Sequence, residues 1–339
     1  MSSEIYRVLL ELSAFDPFFN LTFGHCLSEA MLNIAIIDLG TNTFHLLLAF
    51  WKDGRYTITH RERSAVKIGL GGITKDIIQE DGIERAMLAL QQFKKTIDSH
   101  GIQKVYAFGT SAFRNAKNGN EVADRIKRTL NITVDIISGE QEAAFIYKGA
   151  RSAVQLGDEP SLIMDIGGGS VEFIIGNNQK IFWKKSVEIG AQRLLEKYQK
   201  HDPISNDEIV QLDDHFKSSL QEVFEAIRKY NPSTLIGSSG TFDTLSEIYC
   251  IQQSIPYQEA DSETPLTIAS FYSTYDELVK KNRIERLQIP GMIEMRVDMI
   301  VTACCLIRFL LNKFEFKTIR VSTWSLKEGV LAHLTEAKK

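Results

Sequence analysis

Asp38-Leu-Gly-Thr-Asn-Thr-Phe-His-Leu-Leu-Leu-Ala49 is echoed further along the chain by Asp165-Ile-Gly-Gly-Gly-Ser-Val-Glu-Phe-Ile-Ile-Gly176. Both stretches run Asp, aliphatic, Gly, two small or polar residues, Ser/Thr, two variable residues, three apolar residues, then Ala or Gly. Each follows an apolar run (34–37 and 162–164), so each reads as strand, tight turn, strand. In such a turn Gly40 or Gly167, Gly168 and Gly169 let backbone N–H groups face an anion, and the hydroxyls of Thr43 and Ser170 add donors. Asp38, at the end of its strand, suits a hydrated Mg²⁺, which takes a carboxylate and phosphate oxygens and keeps several waters. Two such turns facing each other would hold a phosphorylated ligand between two related halves. A dinucleotide fold is disfavoured, because the triple glycine is not G-x-G-x-x-G and leads into a strand instead of a helix.

The 339 residues can bury two ordinary cores. Apolar content of 44% and charged content of 24% are those of a soluble globular protein. A net charge of −4 means that any polyanion must be met by a local basic patch. Neither a nucleic-acid nor a membrane partner is expected. The most apolar stretch, 299–311, is short and carries Arg308, so it reads as a buried helix. Cys26, Cys250, Cys304 and Cys305 show no metal-ligand spacing and read as reduced thiols of a cytoplasmic protein. Met31 stands just before the first strand, which makes residues 1–32 an N-terminal extension and Met31 an alternative start. Glu4, Glu11, Asp16 and the lack of a basic n-region argue against a signal peptide.

After the first hairpin, 56–64 reads as a strand. Ile83, Met87, Leu90, Phe93 and Ile97 recur at helical spacing. The segment 105–108 is a buried strand ending in Gly109-Thr-Ser-Ala-Phe-Arg114, followed by a helix over 121–130 and a strand over 133–137. Ser138 is the N-cap of a helix running to about Val154. The second copy repeats this plan: a hairpin, a strand over 180–187, a helix over 191–199 and a long helix ending at Tyr230. A strand over 234–236 then enters Gly237-Ser-Ser-Gly-Thr241. Residues 252–266 read as a surface loop. Helices follow over 269–280, 283–287 and 297–313, then a strand over 318–322 and a last helix over 326–337.

Strand-hairpin phosphate loops in two duplicated α/β halves describe the sugar kinase, heat-shock chaperone and actin superfamily. Seven motifs occur in order: Asp38-Leu-Gly-Thr-Asn-Thr43, Gly109-Thr-Ser-Ala-Phe-Arg-Asn-Ala-Lys-Asn118, Ser138-Gly-Glu-Gln-Glu-Ala143, Asp165-Ile-Gly-Gly-Gly-Ser-Val-Glu172, Gly237-Ser-Ser-Gly-Thr241, Met295-Arg-Val-Asp298 and Lys327-Glu-Gly-Val-Leu331. By these motifs the chain resembles the exopolyphosphatase/guanosine pentaphosphate phosphatase family over about residues 33–335, in its short form without C-terminal HD-type domains. It departs from the family at His45, where Arg is usual, at Thr323-Trp-Ser325, and at Lys327, where Arg is common.

The resemblance implies two duplicated ribonuclease H-like α/β domains with a cleft between them. Residues 33–140 would form the first and 141–325 the second, with 326–339 packing back on the first. It implies a Mg²⁺-dependent phosphohydrolase acting on inorganic polyphosphate or guanosine pentaphosphate, and a homodimer. Glu142 matches the family's general base. Glu172 is placed beside it and, with Asp38 and Asp165, directed towards the metal. Arg114 would clamp phosphate oxygens through its fork, which Lys could not reproduce. Gly40, Thr41, Asn42, Thr43, Thr110, Ser111, Gly167, Gly168, Gly169 and Ser170 would face phosphates, with Gly237, Ser239, Gly240 and Thr241 as a third turn. Arg296 and Asp298 read as structural charges at a helix start. Arg61, Arg63, Lys67, Lys184, Lys185, Arg193 and Lys197 are candidates for a basic track. A non-catalytic sensor of guanosine polyphosphates is the alternative outside enzymology, and retention of Glu142, Glu172 and Arg114 argues against it.

Overall fold

The computed structural model describes residues 33–256, 258 and 261–338, so the expected extension over residues 1–32 lies outside the described residues. Strands β1 (Ile34–Leu39), β2 (Phe44–Lys52), β3 (Arg55–Ser64), β4 (Lys104–Gly109) and β5 (Val134–Ile136) make one sheet in the order β3-β2-β1-β4-β5. A second sheet contains β6 (Ser161–Ile166), β7 (Val171–Gly176), β8 (Ile181–Val187), β9 (Thr234–Ser238), β10 (Glu263–Pro265) and β11 (Thr318–Ser322). Its order is β10-β11-β9-β6-β7-β8. Leaving out edge strand β10, the second sheet repeats the first. The hairpins β1–β2 and β6–β7 are antiparallel, while β1–β4 and β6–β9 are parallel. This is the duplicated α/β fold expected from the paired hairpins.

Strand periodicity decides which residues meet between the sheets. On β1, Ala35, Ile37 and Leu39 point into the outer core of the first sheet, whereas Ile34 and Ile36 point to the opposite face. On β6, Leu162, Met164 and Ile166 enter the second sheet's outer core, and Ile163 points inward. Asp38 has the parity of Ile36, and Asp165 that of Ile163. Both carboxylates therefore end their strands on the inner face.

The first outer core is closed by helices α1 (Glu80–Ser99) and α3 (Gly119–Leu130), which flank the short α2 (Ser111–Asn115). The layer between the sheets holds α4 (Gly139–Ala153) and, at the C-terminal end, α12 (Leu326–Glu336). In α4 the Ser138 hydroxyl accepts from the backbone N–H of Gln141 while the Gln141 side chain accepts from the Ser138 N–H, a closed capping box. On the second sheet lie α5 (Ala191–Tyr198), α6 (Asn206–Ser219), α7 (Gln221–Tyr230), α8 (Gly240–Gln252), α9 (Ile268–Leu278), α10 (Arg283–Leu287) and α11 (Ile300–Lys313). The long helix expected to end at Tyr230 is in fact α6 and α7, divided at Leu220, whose φ of −110° and ψ of 19° leave the helical region. Part of the expected 252–266 loop forms β10. Pro265 sits at that sheet edge, where its missing N–H removes no interior ladder bond.

Helices α4 and α12 cross at glycines. A Cβ built on Gly329 would overlap the Phe145 carbonyl oxygen, and one on Gly149 would overlap the carbonyl oxygen of Ser325. Gly→Ala inside an unobstructed helix stabilises by about 1 kcal/mol. Here the clash reverses the sign, and Gly329→Ala is expected to destabilise by about 1–3 kcal/mol. Thermal and urea denaturation check this, and a variant at least as stable as the wild type would contradict the close crossing.

Candidate active site

The turns after β1 and β6 face each other across a cleft of about 560 Å³. Asp38, Gly40, Thr41, Asn42 and Thr43 line one side. Asp165, Gly167, Gly168, Gly169 and Ser170 line the other, with Thr110, Ser111 and Glu142 between them. A Cβ on Gly168 would come within 2.6 Å of Asn42 Nδ2, and one on Gly169 within 2.7 Å of Thr41 Oγ1. Side chains at these positions would hold the turns apart.

Glu142 sits in the first turn of α4, where the helix N-terminus favours a carboxylate. Arg114 Nη1 donates to Glu142 Oε2 at 2.8 Å and to the Ile137 carbonyl at 3.2 Å. The pair is largely shielded, with side-chain exposures of 17% for Arg114 and 10% for Glu142. Arg114 Nη2 reaches Glu188 Oε1 at 3.1 Å and Ser170 Oγ at 3.5 Å. Burial pushes the Glu142 carboxyl up from its ordinary range; Arg114 opposes that shift, and Asp38 and Asp165 add to it.

Asp165 accepts from Ser239 Oγ at 2.8 Å and from Ser325 Oγ at 2.5 Å. Asp38 is pushed up to about 7 by burial, with Lys327 opposing and the Asp165 and Glu328 carboxylates adding. Such a pair is short of positive charge. Among the described residues no group of three or more His, Cys, Asp or Glu side chains closes on a point. Mg²⁺ does not need such a cage, because one or two carboxylates with phosphate oxygens and water satisfy it. Asp38 and Asp165 fit that requirement.

Glu172, also read as metal-directed, does not line the cleft. Its Oε1 accepts from Ser170 Oγ and Ser186 Oγ, each at 2.7 Å, and the residue is 1% exposed. Burial first, and then Glu142 and Asp165, push its carboxyl well up. The third turn is brought in only through Ser239. Gly237 is packed against the ring of Phe242, Gly240 against the Arg296 guanidinium, and Thr241 is buried outside the cleft lining. Those glycines accommodate large neighbours at the positions a side chain would fill. Thr110 lines the cleft but donates its hydroxyl to the Leu39 carbonyl at 3.3 Å.

Sequence reasoning missed three participants. Arg296, read as a helix-start charge, lines the cleft beside His45 and Ser239. Ser325 reaches Asp165 from the turn before α12, and Glu188 reaches Arg114 from the end of β8. Their contacts span long sequence separations and carry no local signal. Of the basic-track candidates, Arg61 and Arg63 line a second cavity of about 1310 Å³, together with Lys327, Trp324 and Asp243. His45 lines both spaces. Burial, then Lys327, Arg296 and Arg63, holds the His45 pKa well below its ordinary value, so its imidazole stays neutral. The other candidates are engaged elsewhere: Lys67 with Asp298, Lys184 with Glu140, Lys185 with Glu222, Arg193 with the Ile73 carbonyl, and Lys197 over the Tyr198 ring. Among the described residues no helix is long and apolar enough to cross a membrane.

Residues 49–338 match the Ppx/GppA phosphatase family. An exopolyphosphatase from Cytophaga hutchinsonii superposes with a TM-score of 0.88 at 44% identity, covering 91% of this chain and 99% of that one. A Ppx/GppA family member from Aquifex aeolicus superposes with a TM-score of 0.74 at 27% identity, over 91% and 99% of the two chains. A guanosine-5'-triphosphate,3'-diphosphate pyrophosphatase from Pseudoalteromonas translucida is 28% identical over 88% of this chain. The match spans only 58% of that relative's length. The chain belongs to the Ppx/GppA phosphatase family, and it is an enzyme of phosphoanhydride hydrolysis.

Proposed function

We propose that the chain is an exopolyphosphatase, removing terminal orthophosphate from inorganic polyphosphate. The observation that carries this reading is Glu142, held at 2.8 Å by Arg114 where the two turns meet. The terminal phosphoryl sits between the turns, bonded by Thr41, Thr43 and Ser111. Glu142 orients a water for in-line attack and takes its proton; an elevated pKa makes it a stronger base than a free carboxylate. Arg114 holds non-bridging oxygens while keeping Glu142 in place, and Glu172 fixes the Ser170 hydroxyl. Mg²⁺ held by Asp38 and Asp165 would supply charge neutralisation of the phosphate oxygens. The remaining phosphates run past His45 into the second cavity, towards Lys327, Arg63 and Arg61. Trp324 and Asp243 in that cavity offer a ring face and a carboxylate acceptor, which favours guanosine pentaphosphate as a second, competing substrate.

Phosphate release from polyphosphates of defined length and from guanosine pentaphosphate, with Mg²⁺ or EDTA, tests the assignment. Turnover of short polyphosphates that EDTA abolishes and the nucleotide inhibits competitively is expected. Turnover of the nucleotide alone would reassign the substrate. Glu142→Gln is expected to lower kcat by about 10²–10⁴-fold, as loss of a positioned base does, while leaving polyphosphate binding intact. In the wild type the acid limb of kcat should fall above the ordinary carboxylate range. A variant retaining more than about a tenth of wild-type kcat would remove Glu142 from that role.

The raised carboxyls also set a pH dependence of stability. A carboxyl whose folded pKa lies above its unfolded one gives stability that is complete below the unfolded value and is lost as pH rises through the folded value. For Asp38 that loss runs from about pH 4 to about 7. Asp38→Asn is therefore expected to raise the Tm of the ligand-free protein by several degrees at pH 8, with the gain shrinking towards pH 4. A gain independent of pH would contradict this, and turnover should fall in the same variant.

A further inference from the structure

Glu188 follows the last residue of β8 and places its carboxylate on donors that the proposed function gives to phosphate. Its Oε2 accepts from Ser111 Oγ at 2.6 Å and its Oε1 from Arg114 Nη2 at 3.1 Å; Arg193 Nη2 lies 3.6 Å from Oε2. Ser111 and Arg114 stand on α2, above the first sheet, whereas Glu188 and Arg193 belong to the half built on the second. The carboxylate therefore bridges the halves, and it does so through the hydroxyl and guanidinium beside the turns. Glu142 is differently situated. That residue takes the other arm of Arg114, belongs to the cleft lining and is 10% exposed, whereas the Glu188 side chain is 38% exposed and lies outside that lining.

We propose that Glu188 is an internal competitor of the substrate phosphate, a resident anion that a terminal phosphoryl must displace from Ser111 and Arg114. The chemistry matches, since a carboxylate and a phosphate monoanion accept from the same hydroxyl and the same guanidinium fork. A polyanion also has to bring its charge past that of the partly exposed Glu188 carboxylate. Removal of the charge leaves Arg114 with Glu142 and the Ile137 carbonyl, while Ser111 Oγ still accepts from Asn115 Nδ2 at 3.1 Å and its own hydroxyl proton is released for the phosphate. Glu188 thus sets affinity and selects against singly charged anions, without touching the attacking water. The donors left by Glu188 pass to the phosphate, so the bound substrate takes over the bridge between the halves.

This inference rests on the phosphate-site reading, and its test separates the two. Binding of a nitrogen-bridged, non-hydrolysable triphosphate is measured by calorimetry with Mg²⁺ for the wild type, Glu188→Gln, Glu188→Asp and Arg114→Ala. Turnover of tripolyphosphate is measured in parallel for the two Glu188 variants. Glu188→Gln is expected to tighten the analogue and lower KM by about five- to tenfold, the scale of one partly exposed charge pair, with kcat essentially unchanged. Glu188→Asp should remain near the wild type, because it keeps the charge. Unchanged affinity in Glu188→Gln would overturn the proposal. A lowered kcat with unchanged melting temperature would do so as well, since it would show that Glu188 positions Arg114. Equal tightening in Glu188→Asp would assign the effect to packing and overturn it too. An analogue whose binding is indifferent to Arg114→Ala would remove the phosphate-site reading itself, and the proposal with it.

Discussion

Four carboxyl groups, Asp38, Glu142, Asp165 and Glu172, are held together in the layer between two sheets. Burial raises three of them, Asp38, Glu142 and Glu172, and each of those three is further raised by carboxylate neighbours. Such an arrangement opposes folding at neutral pH, and the surrounding core has to over-determine it. The apolar strands β1 and β6 are covered on both faces, and α4 and α12 lock against each other between the sheets. Stability is given up where function needs charge, the usual relation at active sites.

Charges of both signs line the cleft and the cavity beside it. At one end Arg114 is the cation that holds Glu142, and Glu188 is the anion that engages the same guanidinium. Beyond the two aspartates both signs are present, Arg61, Arg63 and Lys327 lining the larger cavity together with Glu62, Asp243, Glu247 and Glu328. Arg296, Lys327 and Arg63 all act on His45, and the larger cavity opens past it. The His45 imidazole, kept neutral by those cations, marks the passage between the two spaces.

The sequence shows the hairpins and their duplication because both signals are local. Alternating parity, glycine turns and the Ser138–Gln141 box are written within a few residues of where they act. Strand parity even implies that Asp38 and Asp165 share the inner faces. Contacts made across the fold are not legible in this way. Ser325 meets Asp165, Glu188 meets Arg114 and Arg296 covers Gly240 through tertiary packing alone. Gly237-Ser-Ser-Gly-Thr241 shows a second role of glycine that the sequence does not separate from the first. A glycine can admit a neighbour's ring as readily as an anion, and at Gly237 the neighbour is Phe242. The division of α6 from α7 at Leu220 has no signal in the chain that a helical pattern would register.

In the proposed function the facing turns hold a terminal phosphoryl beside Glu142 while the rest of the substrate lies towards His45. A crystal structure of the protein with Mg²⁺ and the nitrogen-bridged triphosphate would decide this placement. The terminal phosphorus is expected between residues 40–43 and 167–170, with the bridging atom directed away from Glu142 and towards the cavity of Arg63 and Lys327. A triphosphate seated outside the turns, or reversed so that its chain extends past Glu142, would contradict it.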